Sequence, residues 1–349
     1  MNEEIQKIII SEGNSKIKDS SAYDYLNFLT KTELFRVLSL YRLSMDDVIE
    51  AYVLENKSKK QLIKYITENL DKIMEINFKY IKNRDLDILK KILPKIIEKD
   101  FDITEDNMSF TLFTYLKRLY LSKFEVEDER IKMFMPKEFC EAFLKILENQ
   151  KITKENKKMT DIFDYICALT NTYGIIDLDN LHRLFKKDMY DIDKEEFIKI
   201  LNSLNIIHDE INMFEYDSTY IICTIDFIDE QNAVNFYEKQ TGNYKEYTKE
   251  ELALIKNGTF IRKSSHFKEF TDYINSKFEL TNKDIDDIID MLVMEYVLTA
   301  SVNEENANEN FLEDANEMFD LSDEEIEEMR KITSQIYEDY PKWIKRGAI

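Results

Sequence analysis

At 349 residues, with 44% hydrophobic and 12% aromatic side chains, the chain can fill real cores and is not a disordered polymer. Five glycines and three prolines disfavour all-β folds, glycine-rich nucleotide loops and long flexible linkers, and favour helices. The net charge of −22 disfavours general affinity for nucleic acid or anionic membranes.

The charge is uneven. Residues 57–99 hold 12 basic and 6 acidic side chains, a net of +6, whereas residues 301–340 hold 2 and 14, a net of −12. Such asymmetry marks either a basic contact surface or two parts of one chain that attract each other. Cys140, Cys167 and Cys223 form no CxxC pair, which fits reduced thiols in a cytoplasm. The start Met1-Asn2-Glu3-Glu4 lacks the basic region of a signal peptide, and no apolar run reaches membrane-spanning length. The expectation is a cytoplasmic protein without membrane contact.

In chain order, residues 1–20 are polar and expected to fray, and helical patterning begins at Tyr23. The phrases Leu29-Thr30-Lys31-Thr32-Glu33-Leu34-Phe35 and Ser58-Lys59-Lys60-Gln61-Leu62-Ile63 each open with Thr or Ser followed by Lys. Together they resemble the Rho-terminator N-terminal and SAP-like helix-extended-helix motifs, over a small part of the chain. The spacing is longer than in that family, because Met45 to Leu54 reads as an extra helix. The resemblance implies nucleic-acid binding or a small packing unit. The same phrase is also a common helix start.

Leu70 to Glu98 reads as helical and basic, with Pro94 expected to kink or divide its second stretch. Lys79, Lys82, Arg84, Lys90 and Lys91 are the candidate nucleic-acid contacts, joined by Lys95 and Lys99. Tyr65, Phe78 and Tyr80 stand among them, so base stacking and a lysine-coated solvated face with aromatic core residues are both open. Asn107 to Leu121 reads as a helix. Lys123 to Val126 and Ile131 to Met135 read as a hairpin around Glu127-Asp128-Glu129-Arg130. A helix starting at Pro136 and running to about Gln150 follows. The polar run 150–158 is the best candidate for a boundary.

The central segment 159–224 carries three helical patterns: Thr160 to Tyr173 stopped by Gly174, a second capped by Asp177, and a third from Asp193 to Leu204. Ile206 to Met213 and Tyr220 to Thr224 then form a hairpin about Asp217-Ser218. This is the order of a winged-helix module. Its net charge is −8, from 5 basic and 13 acidic residues, and its third helix is acidic. Phosphate contact needs Lys or Arg, so the module is expected to pack or to touch protein rather than read DNA.

After Thr224 the pattern is helical to the end. Helices open at Thr248, at Ser264 or Ser265, at Thr281 and at Ser322, and 301–310 reads as a polar linker. The lone tryptophan, Trp343, is the candidate tail anchor or partner contact; Lys342, Lys345 and Arg346 beside it are expected to stay in water. Tyr340-Pro341-Lys342-Trp343-Ile344-Lys345-Arg346-Gly347, with Met135-Pro136-Lys137-Glu138, resembles uncharacterised proteins of low-GC Gram-positive bacteria. Some of those carry a Rho-N-like start and a SEC-C zinc knuckle, which is absent here. That resemblance implies architecture and no activity.

Catalytic and metal chemistry finds little to stand on. His182, His208 and His266 lie on different elements without a second ligand at metal spacing. Asp188 to Asp193 lacks the glycine and terminal Glu of a calcium loop. Asp286 and Asp290 share a helical face, which in a chain with 70 acidic residues is expected of a solvated surface. No phosphate loop, nucleophile elbow or dinucleotide fingerprint occurs.

The expected fold is mostly α: a multi-helix protein with winged-helix-like modules and short β-hairpins. Five segments follow: 1–99 helical and basic, 100–158 helix–hairpin–helix, 159–224 winged-helix-like, 225–300 helical, and 301–349 an acidic helix with the tryptophan tail. The expected function is a non-enzymatic, cofactor-free regulator or adaptor with a protein partner. The alternatives are an acidic inhibitor that mimics nucleic acid, as in phage anti-defence, and a nucleic-acid binder using 57–99.

Overall fold

The computed structural model describes residues 2–11, 21–45, 48–97, 102–103, 108–127, 130–208, 210–278, 280–295 and 304–349. Helices take up 70% of the described residues, beside two small antiparallel sheets, so the protein is mostly α with short hairpins. The opening helices are α1 (Asn2–Ser11), α2 (Ala22–Phe28), α3 (Lys31–Val37), α4 (Ser39–Leu43), α5 (Val48–Glu55), α6 (Lys59–Glu68) and α7 (Leu70–Phe78). A 3-10 turn at Asn83–Asp85 leads to α8 (Leu86–Ile97), then β1 (Asp102–Ile103), α9 (Phe110–Arg118), β2 (Lys123–Glu127), β3 (Arg130–Phe134) and α10 (Lys137–Leu147). The middle of the chain forms α11 (Gln150–Tyr173), β4 (Ile175–Asp177), α12 (Leu178–Asp188), α13 (Lys194–Ile207), β5 (Ile211–Tyr216) and β6 (Thr219–Thr224). It closes with α14 (Glu230–Lys239), α15 (Lys249–Lys256), α16 (Ser265–Lys277), α17 (Asn282–Glu295), α18 (Glu304–Phe319) and α19 (Asp323–Glu338).

Two compact units result. The first comprises Met1–Phe163 with Asp193–His208, and the second Asp164–Ile192 with Asp209–Ile349. The division falls inside α11, and the segment 159–224 contributes to both units. The basic stretch 57–99 belongs to the first and the acidic stretch 301–340 to the second.

Unit one has one continuous core running from Ile5 and Ile9 of α1 to Ile207 of α13. The two Thr/Ser-Lys phrases are capping boxes. Thr30 exchanges hydrogen bonds with Glu33, and Ser58 with Gln61, so each satisfies the free N–H groups of a helix start. Helices α2 and α3 pack on α6. The extra helix expected near 45–54 is α5. Its sheet has the order β1-β3-β2, with Ile131 of β3 opposite both Ile103 and Val126. The turn expected at Asp128–Glu129 lies outside the described residues.

Unit two has a sheet of order β4-β6-β5, in which Ile175 pairs Cys223 and Met213 pairs Ile222. Helix α16 packs on α19, and α18 packs on both α17 and α19. Asn308 is buried in that bundle, and its Oδ1 is satisfied by the Thr333 hydroxyl, which donates to it at 2.5 Å.

Several expectations are corrected. Residues 2–11 are helical and anchored by buried Ile5 and Ile9 rather than frayed; 12–20 lie outside the described residues. Helix α8 runs undivided through Pro94. The polar run 150–158 is helical, with Ile152 and Asn156 buried. Ile206 and Ile207 end α13 instead of opening a strand, so the hairpin begins at Ile211. Residues 304–310 belong to α18 rather than to a linker; 301–303 lie outside the described residues. Two short strands, β1 and β4, join the hairpins. Their two and three residues have no periodicity of their own and exist through pairing.

Candidate functional site

In unit one two of the candidate cations, Lys79 and Lys82, are committed to internal contacts. Lys79 Nζ lies 2.8 Å from Glu155, and that contact holds the Glu155 carboxyl below its usual range. Lys82 is buried, with its ammonium 4.7 Å from the Phe163 ring. Phe163 in turn stacks on His208 at 4.1 Å. Burial, and then the neighbouring Lys82 charge, lowers the His208 imidazole to about 3.

The turn after α7 is pinned by Asn156, whose amide donates to the carbonyls of Phe78 at 2.9 Å and Ile81 at 2.5 Å. Arg84 donates to Thr111 at 2.9 Å and lies near Asp85. The Asp85 carboxyl is raised by burial, and Ser109 donates to it at 2.5 Å. Of the five candidates Arg84, Lys90 and Lys91 are exposed, and Lys90 is 3.5 Å from Asp87. Of the stacking candidates, Phe78 is buried, Tyr65 packs edge-on against Tyr41, and Tyr80 bonds Ser203. The structure therefore does not bring the predicted contacts together as one open surface.

The third helix of the central segment, α13, is enclosed within unit one. Phe197, Ile200, Leu201, Ser203, Leu204 and Ile207 are buried, and α4 and α9 pack against it. Its exposed residues are confined to the first turn, Lys194, Glu195 and Glu196. A helix placed in a DNA groove must offer a basic, open face along its length.

Trp343 anchors a built groove in unit two. Its ring is buried against Ile175, Ile221, Cys223, Phe227 and Phe236, with the Phe227 ring at 5.8 Å, and its indole N–H donates to the Asn171 carbonyl at 2.9 Å. Gly174, at φ +69°, forms the floor: a Cβ there would lie 2.4 Å from the indole. Gln240 is buried, and its amide donates to the carbonyls of Trp343 at 2.8 Å and Tyr173 at 2.9 Å. Thr241 N–H donates to Ile344 O at 2.8 Å, Lys245 N–H to Arg346 O at 3.1 Å, and the Tyr247 hydroxyl to Gly347 O at 2.6 Å.

The flanking cations differ from expectation. Lys345 is in water, but Lys342 is buried with its ammonium 2.8 Å from Glu338, and Arg346 lies over the rings of Tyr244 at 4.8 Å and Tyr237 at 5.8 Å. Amphipathic stems and π faces retain these charges where free water would otherwise be needed. Sequence reasoning found Trp343 but missed Asn171, Gly174, Gln240 and the Tyr237/Tyr244 pair. The one available signal was that two of five glycines, Gly174 and Gly347, border tyrosine-rich or tryptophan-containing stretches.

Several titratable groups outside these regions have partners within the protein. Among the described residues no three His, Cys, Asp or Glu side chains group as a metal cage. His182 Nε2 is 2.9 Å from the Ile192 carbonyl. Ser264 donates to Asp339 at 2.6 Å, and His266 Nδ1 lies 2.9 Å from the same oxygen. The hydroxyl thus sits on the carboxylate and not on the imidazole, which is the wrong connectivity for a nucleophile relay. Burial pushes the thiols of Cys140 and Cys223 up to about 12. Asp286 is paired with Arg262. No helix of the described residues is long and apolar enough to cross a membrane.

No family model, no curated protein and no solved structure matches the chain.

Proposed function

We propose that the protein is a non-enzymatic regulator or adaptor that acts by binding another protein. The observation that carries this reading is the enclosure of α13 together with the internal use of Lys79 and Lys82. Both features remove surface that phosphates would need. The element order α11–β4–α12–α13–β5–β6, with strands arranged β4-β6-β5, is that of a winged-helix-like module, with α13 assigned to the core of the first unit. A cytoplasmic location and the two bacterial resemblances belong to the same proposal.

A second reading is an acidic inhibitor that occupies a nucleic-acid-binding surface. It is favoured by exposed carboxylates on the last three helices, among them Asp287, Asp290, Glu313, Asp314, Glu317 and Glu324. Titration of the intact chain with labelled duplex DNA and single-stranded RNA at physiological salt tests the first reading. No binding is expected. Submicromolar binding that Lys90→Glu with Lys91→Glu abolishes would overturn it in favour of a nucleic-acid binder. Light scattering of the purified complex with a captured protein then separates the first two. An adaptor holds its partner without affecting nucleic-acid affinity, whereas an inhibitor competes with DNA or RNA for it.

A further inference from the structure

We propose that the groove formed by the end of α11, β4, α14 and the 240–247 loop is a peptide-recognition site that reads Trp–x–x–Arg–Gly, with residues 340–349 as its resident, displaceable occupant. This deepens the protein-binding reading by naming the chemistry of the segment recognised.

The groove holds its occupant mainly by the backbone. Thr241 N–H, Lys245 N–H, the Gln240 amide and the Tyr247 hydroxyl all donate to carbonyls of residues 343–347. Any peptide supplies such carbonyls, so selectivity must come from the side chains. Three positions provide it. The indole fills the well over Gly174 and donates to Asn171. The Arg346 guanidinium lies over Tyr237 and Tyr244 while donating to the Gly242 carbonyl at 3.2 Å. Gly347 has φ +77°, and a Cβ there would lie 2.7 Å from the Tyr173 ring. By contrast, Lys345 points to water and is free to vary.

The occupant is a self-contained unit. Lys342 N–H donates to Ala348 O at 3.1 Å and Gly347 N–H to Lys342 O at 2.9 Å, closing the segment on itself. A preorganised loop loses little freedom on binding, which suits it to act in trans. The present fit is also incomplete. Gln240 Oε1, on the groove side, is buried without a hydrogen-bond partner among the described residues. A ligand that satisfies it gains over the resident tail. Tethering gives that tail an effective concentration on the order of millimolar, so it masks the groove until a competitor or a weakened tail opens it.

The test uses the full chain and a fluorescein-labelled peptide with the sequence of residues 340–349, read by anisotropy. The Trp343→Ala chain is expected to bind the peptide at least about tenfold more tightly than the unaltered chain. Peptides carrying Ala for Trp343, Arg346 or Gly347 should each lose at least about tenfold. Because Trp343→Ala can perturb folding, Gly347→Ala in the chain provides a second opened form, and far-UV circular dichroism checks both. Folded, opened chains that fail to bind the peptide, or that bind the altered peptides equally, overturn the proposal. The readout needs no natural partner. Its failure would remove the groove and leave the wider protein-binding reading to the complex measurement above.

Discussion

Trp343 is a single aromatic that closes a core, and its loss empties the space between Phe227 and the Gly174 floor. Trp343→Ala should lower the unfolding free energy by roughly 3–5 kcal/mol, read from urea midpoints. It should also expose Cys223, so that a thiol reagent reacts with it in the folded protein. Added salt alone should do neither, because an exposed ion pair contributes only about 0–1 kcal/mol. In the unaltered chain the indole emission should be blue-shifted and protected from quenchers; a water-like emission would refute the docking. His208 supplies the pH dependence. Its folded pKa, about 3, lies below an unfolded value near 6.5. Its contribution is therefore complete above about pH 6.5 and is lost as pH falls towards 3. About 2 kcal/mol should disappear between pH 7 and pH 5. His208→Phe keeps a ring against Phe163 and cannot titrate, so its stability should fall less over that interval. The tryptophan was legible because it stands alone in a polar tail. Its well was not, since Asn171 lies 172 residues away in sequence.

At the scale of elements, local chemistry was the legible part. Thr30, Ser58, Thr248 and Ser322 all cap as their spacing predicts, because a capping box is complete within four residues. Ser322→Ala should destabilise α19 by about 1 kcal/mol, seen as a shift in the thermal midpoint, whereas Ser334→Ala on its exposed face should change little. What escaped the sequence depends on distant partners. The short strands β1 and β4 are defined by β3 and β6, and α18 begins among polar residues because Thr333 meets Asn308 from α19. Pro94 is expected from the sequence to kink or divide its helix. It lies in the last turn of α8, where Leu89, Leu93 and Ile96 are buried on either side, and this packing outweighs the one missing N–H.

On the scale of the molecule, the fold class followed from glycine scarcity, whereas the path between the two units was hidden. Unit one needs Asp193–His208, which brings Phe197, Leu201, Leu204 and Ile207 into its core. A fragment ending at residue 158 lacks that helix and also Phe163, which covers Lys82 and His208 in the intact chain. Such a fragment should retain helical circular dichroism but bind a hydrophobic dye and show poorly dispersed amide resonances. One extending to 208 is expected to improve both properties. Equal behaviour of the two fragments would refute the dependence on α13.

The same chain path bears on synthesis. A ribosome delivers residues in order, and domains placed end to end can each close before the next appears. Here α12 emerges before α13, so the first core must wait, incomplete, while part of the second is already outside the exit tunnel. Both nascent units are open at once during that interval, with apolar surfaces such as those of Leu201 and Leu181 uncovered together. Translation speed across codons 164–208 should therefore influence the yield of folded protein more than speed across codons 1–150.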